Sequence, residues 1–543
     1  MQNERGSALI LVLLVSMIFT ILGVAILKTS LHGTVRTEYR ESDVQAMQIA
    51  EKVLDLATTE VQVLMKDYDG TLNVDTFLTQ YISNLDQNEQ LLNSMSKLSD
   101  EMGLPGDRID FEITSIDRLS KDAPDQNRKL YASLQEASKE EYLATFQLRA
   151  TIEMEDGVKR TLVQELLVSA YPSFLRYALG TEGILTINGG AFIQGDVYAG
   201  KGTLPSTTAN YYFRGVNDAF QTCKPTINGR FYLPPSTESL HDYDSNLTKW
   251  GTTQFDGAVK FFFHNNQFLS VDVESSFQDQ LRNIGSIPNL GGVEQFNTSF
   301  YPKPSEPWKW NGIQITKSTK FSDRQSPFYL YDNLEINNGE WLVIEGDVVI
   351  EPLSLGEEER QIALEQGILL PPDPLSITGN LLIEGELIIR GNVDFNHSTI
   401  YVKGNTTIDE ANIAGKDPVV LLTSGELLIN RINEFNNKFQ PEKKLKAYLY
   451  TDRKAILYGV GSYLNIEGGV FAKESLEINA VRGETKTNGA KTRIGYNPLH
   501  DDLEKSRLKV TYDPSFYITQ ADSLPRVDQI EVIRGKRYVE YEK

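Results

Sequence analysis

The order of apolar and polar positions divides the chain into three textures. The first is unbroken: Ala8 to Leu27 reads ALILVLLVSMIFTILGVAIL, 20 residues without a charge. At about 1.5 Å per residue it spans roughly 30 Å, the hydrocarbon depth of a bilayer. A helix apolar on every face has no polar side to turn to water, which points to lipid rather than to a globular core. The competing reading is a cleaved secretory signal. The run is longer than the apolar core of such signals, Arg5 is offset by Glu4, and no small-x-small cleavage site follows. A transmembrane segment over residues 7–27 is therefore expected. Arg5 lies on one side and Lys28, Arg36 and Arg40 on the other, so charge does not assign its orientation.

The second texture is amphipathic. Residues 28–66 contain no proline, and only Gly33 interrupts good helix formers. Ala46, Ala50, Val53, Ala57, Val61 and Leu64 recur at three- and four-residue steps, which makes one apolar stripe. Glu41, Gln45, Gln48, Lys52 and Asp55 fill the other faces. Continuous with the membrane segment, this stem gives a helix roughly 90 Å long. A break near Gly33 would make it a separate amphipathic helix instead. Residues 67–172 then read as a small α/β head. Gln90–Met102 is helical in pattern, 108–116 alternates as a strand, and 142–154 with 158–171 forms a hairpin turning at Glu155-Asp156-Gly157. Ser120 to Glu136 is polar and reads as a loop.

The third texture, 173–515, consists of short strands punctuated by glycine, as in LSITGNLLIEGELIIRGNVDFNHSTIYVKGNTTI. Gly379, Gly385 and Gly391 are six apart, as are Gly189 and Gly195. Short repeats of this kind fit stacked parallel rungs, with Leu381, Ile383, Leu387, Ile389 and Val393 pointing inward. An antiparallel sandwich with glycine turns is the alternative. Residues 203–330, rich in aromatics and proline, read as an insertion, as does 357–374 with its acidic helix. Residues 516–543 read as a terminal hairpin turning at Gly535. The fold class is thus α+β and mostly β: a long N-terminal transmembrane helix, a small head and a large solenoid-like region.

ERGSALILVLLVSMIFTILGVAIL followed by QAMQIAEKVLD resembles the N-terminal domain of PilX-type minor pilins, with leader, glycine, apolar helix and stem motif in the same order. The resemblance covers about the first 60 residues. It implies a leader over residues 1–6, a prepilin peptidase cut between Gly6 and Ser7, and a stem motif at Ala50 and Glu51. Major pilins carry a glutamate five residues after the cut, where this chain has Leu11. An intramembrane carboxylate is costly and is kept for a task, so its absence implies an initiating, tip or low-abundance subunit rather than a bulk polymer. The implied partners are the membrane, other pilin-like subunits and the prepilin peptidase, with most of the chain extracytoplasmic. The glycine-punctuated region is similar to segments that follow such N-termini in Gram-positive proteins, and also resembles bactofilins.

Composition removes several function classes. The net charge is −21 and the pI about 4.8, which disfavours nucleic acid by simple repulsion. One cysteine, Cys223, rules out an intrachain disulfide and a multi-cysteine zinc site. His32, His241, His264, His397 and His500 are scattered, with none in HExxH, so no metal or cofactor is expected. No phosphate-binding glycine loop and no G-x-S-x-G elbow occurs. Glu384 and Glu386 alternate along a strand as a solvated face does, and His241-Asp242-Tyr243-Asp244 lacks the glycine and distal glutamate of a calcium loop. The expectation is a non-catalytic, membrane-anchored minor pilin-like subunit of a type IV pilus or competence-type pseudopilus. A membrane-tethered adhesin or polysaccharide-active protein and a bactofilin-like cytoplasmic scaffold are the alternatives. Both rest on fold analogy.

Overall fold

The computed structural model describes residues 4–65, 93, 96, 97, 100, 101, 109–115, 143–169, 172–233 except 214, 247–263 except 258, 271–285, 312–322, 327–439 except 368, 444–513 except 489, and 531–540. It is mostly β with one long apolar helix at the N-terminus. The chain divides into two compact units. Unit 1 takes Met1–Asp122, Glu140–Ser169 and Gln529–Lys543, and unit 2 takes Ala123–Lys139 and Ala170–Asp528.

In unit 1, helix α1 runs unbroken over Glu4–Leu64, 61 residues, straight through Gly33. Four strands form one antiparallel sheet: β1 (Ile109–Ser115), β2 (Leu143–Glu153), β3 (Lys159–Ser169) and β4 (Glu531–Glu540), in that order. The β2–β3 hairpin turns where its sequence says it should. Met154 N–H donates to Val158 O, and Gly157 supplies a φ of +82° that a side chain would resist. The helical reading of 90–102 lies largely outside the described residues, and the loop reading of 120–136 lies wholly outside them.

The expected terminal hairpin is corrected. Residues 531–540 make a single strand against β3, from Thr161 opposite Glu540 to Ser169 opposite Glu531. Gly535 does not turn the chain. It sits at a bulge facing Glu165, where an added Cβ would lie 3.0 Å from the Glu165 Cβ. Glycine marks both turns and bulges, and the partner strand that separates the two cases is hundreds of residues away.

In unit 2, a 23-stranded sheet is built from parallel pairs in close register. Chain neighbours across layers are 19 to 21 residues apart, as in Asn405 with Glu386, Asn412 with Asn392 and Glu426 with Asn405. One core column runs Leu330, Ile350, Ile389, Ile408, Ile429, Leu457, Ile478, Ile187, each opposite the next, and half-buried Pro205 follows opposite Ile187. Leu381, Ile383, Leu387, Ile389 and Val393 all point into this core and are at most 1% exposed. The six-residue glycine spacing measures one side of a layer rather than the repeat. Gly379 lies at a bulge against Ile336, Gly385 at the next corner, and Gly391 at the next, against Pro352. At the middle corner, glycines stack on glycines: Gly385 N–H donates to Gly346 O, Gly404 to Gly385 and Gly425 to Gly404, at 3.0–3.1 Å. A Cβ on Gly404 would come within 2.6 Å of the Gly385 carbonyl oxygen, so only hydrogen fits.

Chain order and spatial order differ. The layer at Ser475–Ala480 pairs with Ile184–Gly189, among the first strands of the unit. The chain therefore lays down its first strands on one side of this seam. It then passes to the opposite end and winds back, and its last layers dock on its first. Asn188 Nδ2 donates to Asn479 Oδ1 across the seam at 3.0 Å. Helix Val273–Ile284 belongs to the passage to the opposite end. The Val273 N–H donates to Asp452 Oδ2 at 2.8 Å, and the Tyr450 hydroxyl donates to Val271 O at 2.9 Å.

The expected insertion at 203–330 is likewise corrected. Thr203–Ser206, Arg230–Leu233, Lys260–Phe263 and Phe328–Leu330 are strands of the main sheet. Phe231, Phe321 and Phe328 fill the core where other layers use Ile and Leu, so the aromatic texture is packing rather than interruption. Two antiparallel hairpins were not legible as such: Thr208–Phe213 with Val216–Gln221, and Gly483–Asn488 with Ala490–Pro498. The acidic helix forms at Glu357–Glu365.

Candidate functional site: the exposed helix and its dock on the head sheet

The N-terminal half of α1 touches nothing in the described structure. Ile10, Leu13, Phe19 and Leu27 are all 63–69% exposed, and Leu11 is 65%. This is the one helix among the described residues long and apolar enough to cross a membrane. Its threonine hydroxyls bond back within the helix: Thr20 donates to Ser16 O, Thr29 to Ala25 O and Thr34 to Ser30 O, at 2.8–3.0 Å. Hydroxyls bonded back to their own helix need no water, which suits a hydrocarbon setting. Gly6 and Ser7 lie in the first two turns of α1. Helix starts leave four N–H groups unpaired and are the part that frays.

The C-terminal half of α1 docks on the sheet. Ala46, Ala50, Val53, Ala57 and Val61 are fully buried, the stripe read from the sequence, while Gln45, Gln48, Lys52 and Asp55 are exposed. Three alanines in the stripe let the helix backbone approach the strands closely. The stem motif is split by this geometry: Ala50 is a contact and Glu51 faces solvent.

A polar clamp borders the dock. Arg534 Nη1 and Arg537 Nη2 of β4 both reach Asp55 Oδ1 on α1, at 3.2 and 2.6 Å. Arg537 Nε also donates to Gln164 Oε1 at 2.8 Å, and Gln164 Nε2 donates to Gly535 O at 3.1 Å. Gln164 is 2% exposed, so these bonds satisfy an amide that would otherwise be buried alone. Arg160 of β3 pairs with Asp43 further up the stem. In a regular strand, positions three apart face opposite sides. The bulge at Gly535 inserts one residue, and so turns Arg534 and Arg537 to the same face, toward α1. The clamp was missed in the sequence because Asp55 and its partners are 479 and 482 residues apart.

No protein-family model matches the chain, and no curated protein does. Among solved structures, the chain is similar to the competence-associated pilin ComZ from Thermus thermophilus. Identity is 13% and the TM-score 0.25, over 74% of this chain and 82% of that one. A superposition that loose does not establish a shared fold.

Elsewhere among the described residues, burial shifts two ionisable side chains of unit 2. Cys223 is half-buried, and burial pushes its thiol up, away from the thiolate a nucleophile needs. Asp452 is pushed up to about 6, chiefly by burial, and serves as an acceptor for Val273 N–H. Among the described residues, no group of three or more His, Cys, Asp or Glu is placed to hold a metal ion. His241 to Asp244 lie outside those residues.

Proposed function

We propose that this chain is a non-catalytic, membrane-anchored minor pilin-like subunit that displays a β-rich body outside the cytoplasm. One observation carries the reading: a single helix, exposed and apolar in its first half, is packed by a small-residue stripe onto an antiparallel sheet in its second. The first half suits lipid or a bundle of like helices. The second half holds a head at a fixed distance from it. On this reading Gly6–Ser7 is the prepilin peptidase cut, and the partners are the membrane, that peptidase and other pilin-like subunits. Leu11 in place of a carboxylate fits an initiating, capping or low-abundance position. Unit 2 is then a parallel β-solenoid carried as the displayed part, supported by its in-register parallel layers.

Mass spectrometry of the N-terminal peptide from membranes of the native host tests the assignment. A mature chain starting at Ser7 is the expected result. A start at Met1 or Gln2 reduces the protein to a signal-anchored surface protein, and a start beyond Leu27 removes the anchor.

A further inference from the structure

We infer that the strand that follows unit 2 is a latch: β4, made after 170–530, closes the head sheet and fixes the stem helix on it. Ser169 and Glu531 are direct ladder partners. The segment 170–530 therefore leaves and re-enters unit 1 at neighbouring ladder positions, as an enlarged turn between two antiparallel strands that elsewhere need only two to five residues to connect. β4 supplies three things no other segment does. It covers the edge of β3, which would otherwise offer unpaired N–H and C=O groups. It buries Val532 and gives Gln164 its partners Gly535 and Arg537. It also brings both arginines to Asp55 of the stem. Until β4 is made, the described strands under the stem are β2 and β3. A truncated or stalled product then carries an unlatched stem, so the assembly-facing part of the molecule reports whether the rest has been made.

The same topology makes a second statement. Because the unit 1 residues that flank 170–530 are ladder neighbours, unit 1 needs β4 but does not need that segment. A short turn closes the β3–β4 pair at lower entropic cost than the natural connection.

Both statements are tested by alkylation of a buried stem position. Val53 is fully buried beneath the sheet. Val53→Cys in a Cys223→Ser background places one thiol there. Four forms are compared in detergent: the full chain, a chain ending at Asp528, a chain with 170–530 replaced by Asn-Gly, and that last form also lacking 531–543. The full chain and the Asn-Gly form are expected to be protected. The two forms without β4 should react at least about tenfold faster, through opening of the stem. A synthetic peptide of residues 529–543 should restore protection to the shortest form. Equal protection with and without β4 in the Asn-Gly pair would overturn the latch, whatever truncation does to unit 2. Equal reactivity of that pair would overturn the independence of unit 1. The readout does not involve processing at Gly6, so it stands or falls separately from the pilin assignment.

Discussion

Units 1 and 2 solve the same problem, covering apolar strand faces, in opposite ways. Unit 1 covers one face of a 4-stranded antiparallel sheet with a helix, and its strands alternate as such sheets do. Unit 2 covers strands with other layers of the same kind, so its inward columns are mostly Ile, Leu and Val, with Phe and Ala at some layers. Unit 1 depends on a few irreplaceable long-range partners, β4 above all. Unit 2 spreads its stability over many near-equivalent layers, with its most extensive long-range strand pairing at the seam between Ser475–Ala480 and Ile184–Gly189. Damage should therefore stay local in unit 2 and be decisive at few positions in unit 1.

The largest effect expected is in the core column of unit 2. Ile429→Ala removes a fully enclosed side chain and should cost about 2–5 kcal/mol, read as an earlier denaturant midpoint for unit 2 with the stem unchanged. A loss of stem protection in that variant would break the comparison. The matching test in unit 1 is Ala50→Leu, which overfills the helix–sheet contact. About 1–3 kcal/mol is expected there, seen as faster hydrogen exchange of α1 around Ala46–Val61 and none in unit 2.

A smaller effect is pH-dependent and confined to unit 2. Burial raises the Asp452 carboxyl from 3.8 to about 6. The folded state thus holds a proton that the unfolded state releases. The contribution is present in full below the unfolded value and is lost as pH rises through about 6. Protection of helix Val273–Ile284 should fall between about pH 4 and about pH 6 and change little above that, and Asp452→Asn should flatten that change. A wild-type profile with no such fall would contradict the role given to Asp452. The smallest effect is Asp55→Ala. Its carboxylate is half exposed, so loss of both arginine contacts should cost at most about 1 kcal/mol, measured by the same exchange of α1.

What the sequence made legible follows the same division. The α1 stripe, the β2–β3 hairpin and the inward positions Leu381 to Val393 are local patterns of period 3.6 or 2, and each is where it was expected. Errors arose where one local signal has two long-range meanings. Gly535 reads equally as a turn or a bulge, and only Glu165 opposite it decides. Glycines six apart mark successive corners, while the partner about 20 residues away on the neighbouring parallel strand leaves no local mark in the sequence. Aromatic residues at 231 and 328 hid strands because they fill the core in place of the usual branched side chains. The Asp55 clamp left no local trace.

The central claim is that α1 anchors the chain while unit 2 is displayed outside the cytoplasm. Protease added to intact protoplasts, followed by identification of the released and retained peptides, tests it most directly. The account predicts that peptides from 173–515 are released while those spanning Ala8–Leu27 stay with the membrane. Full protection of unit 2 until the protoplasts are lysed would place it in the cytoplasm and contradict the account.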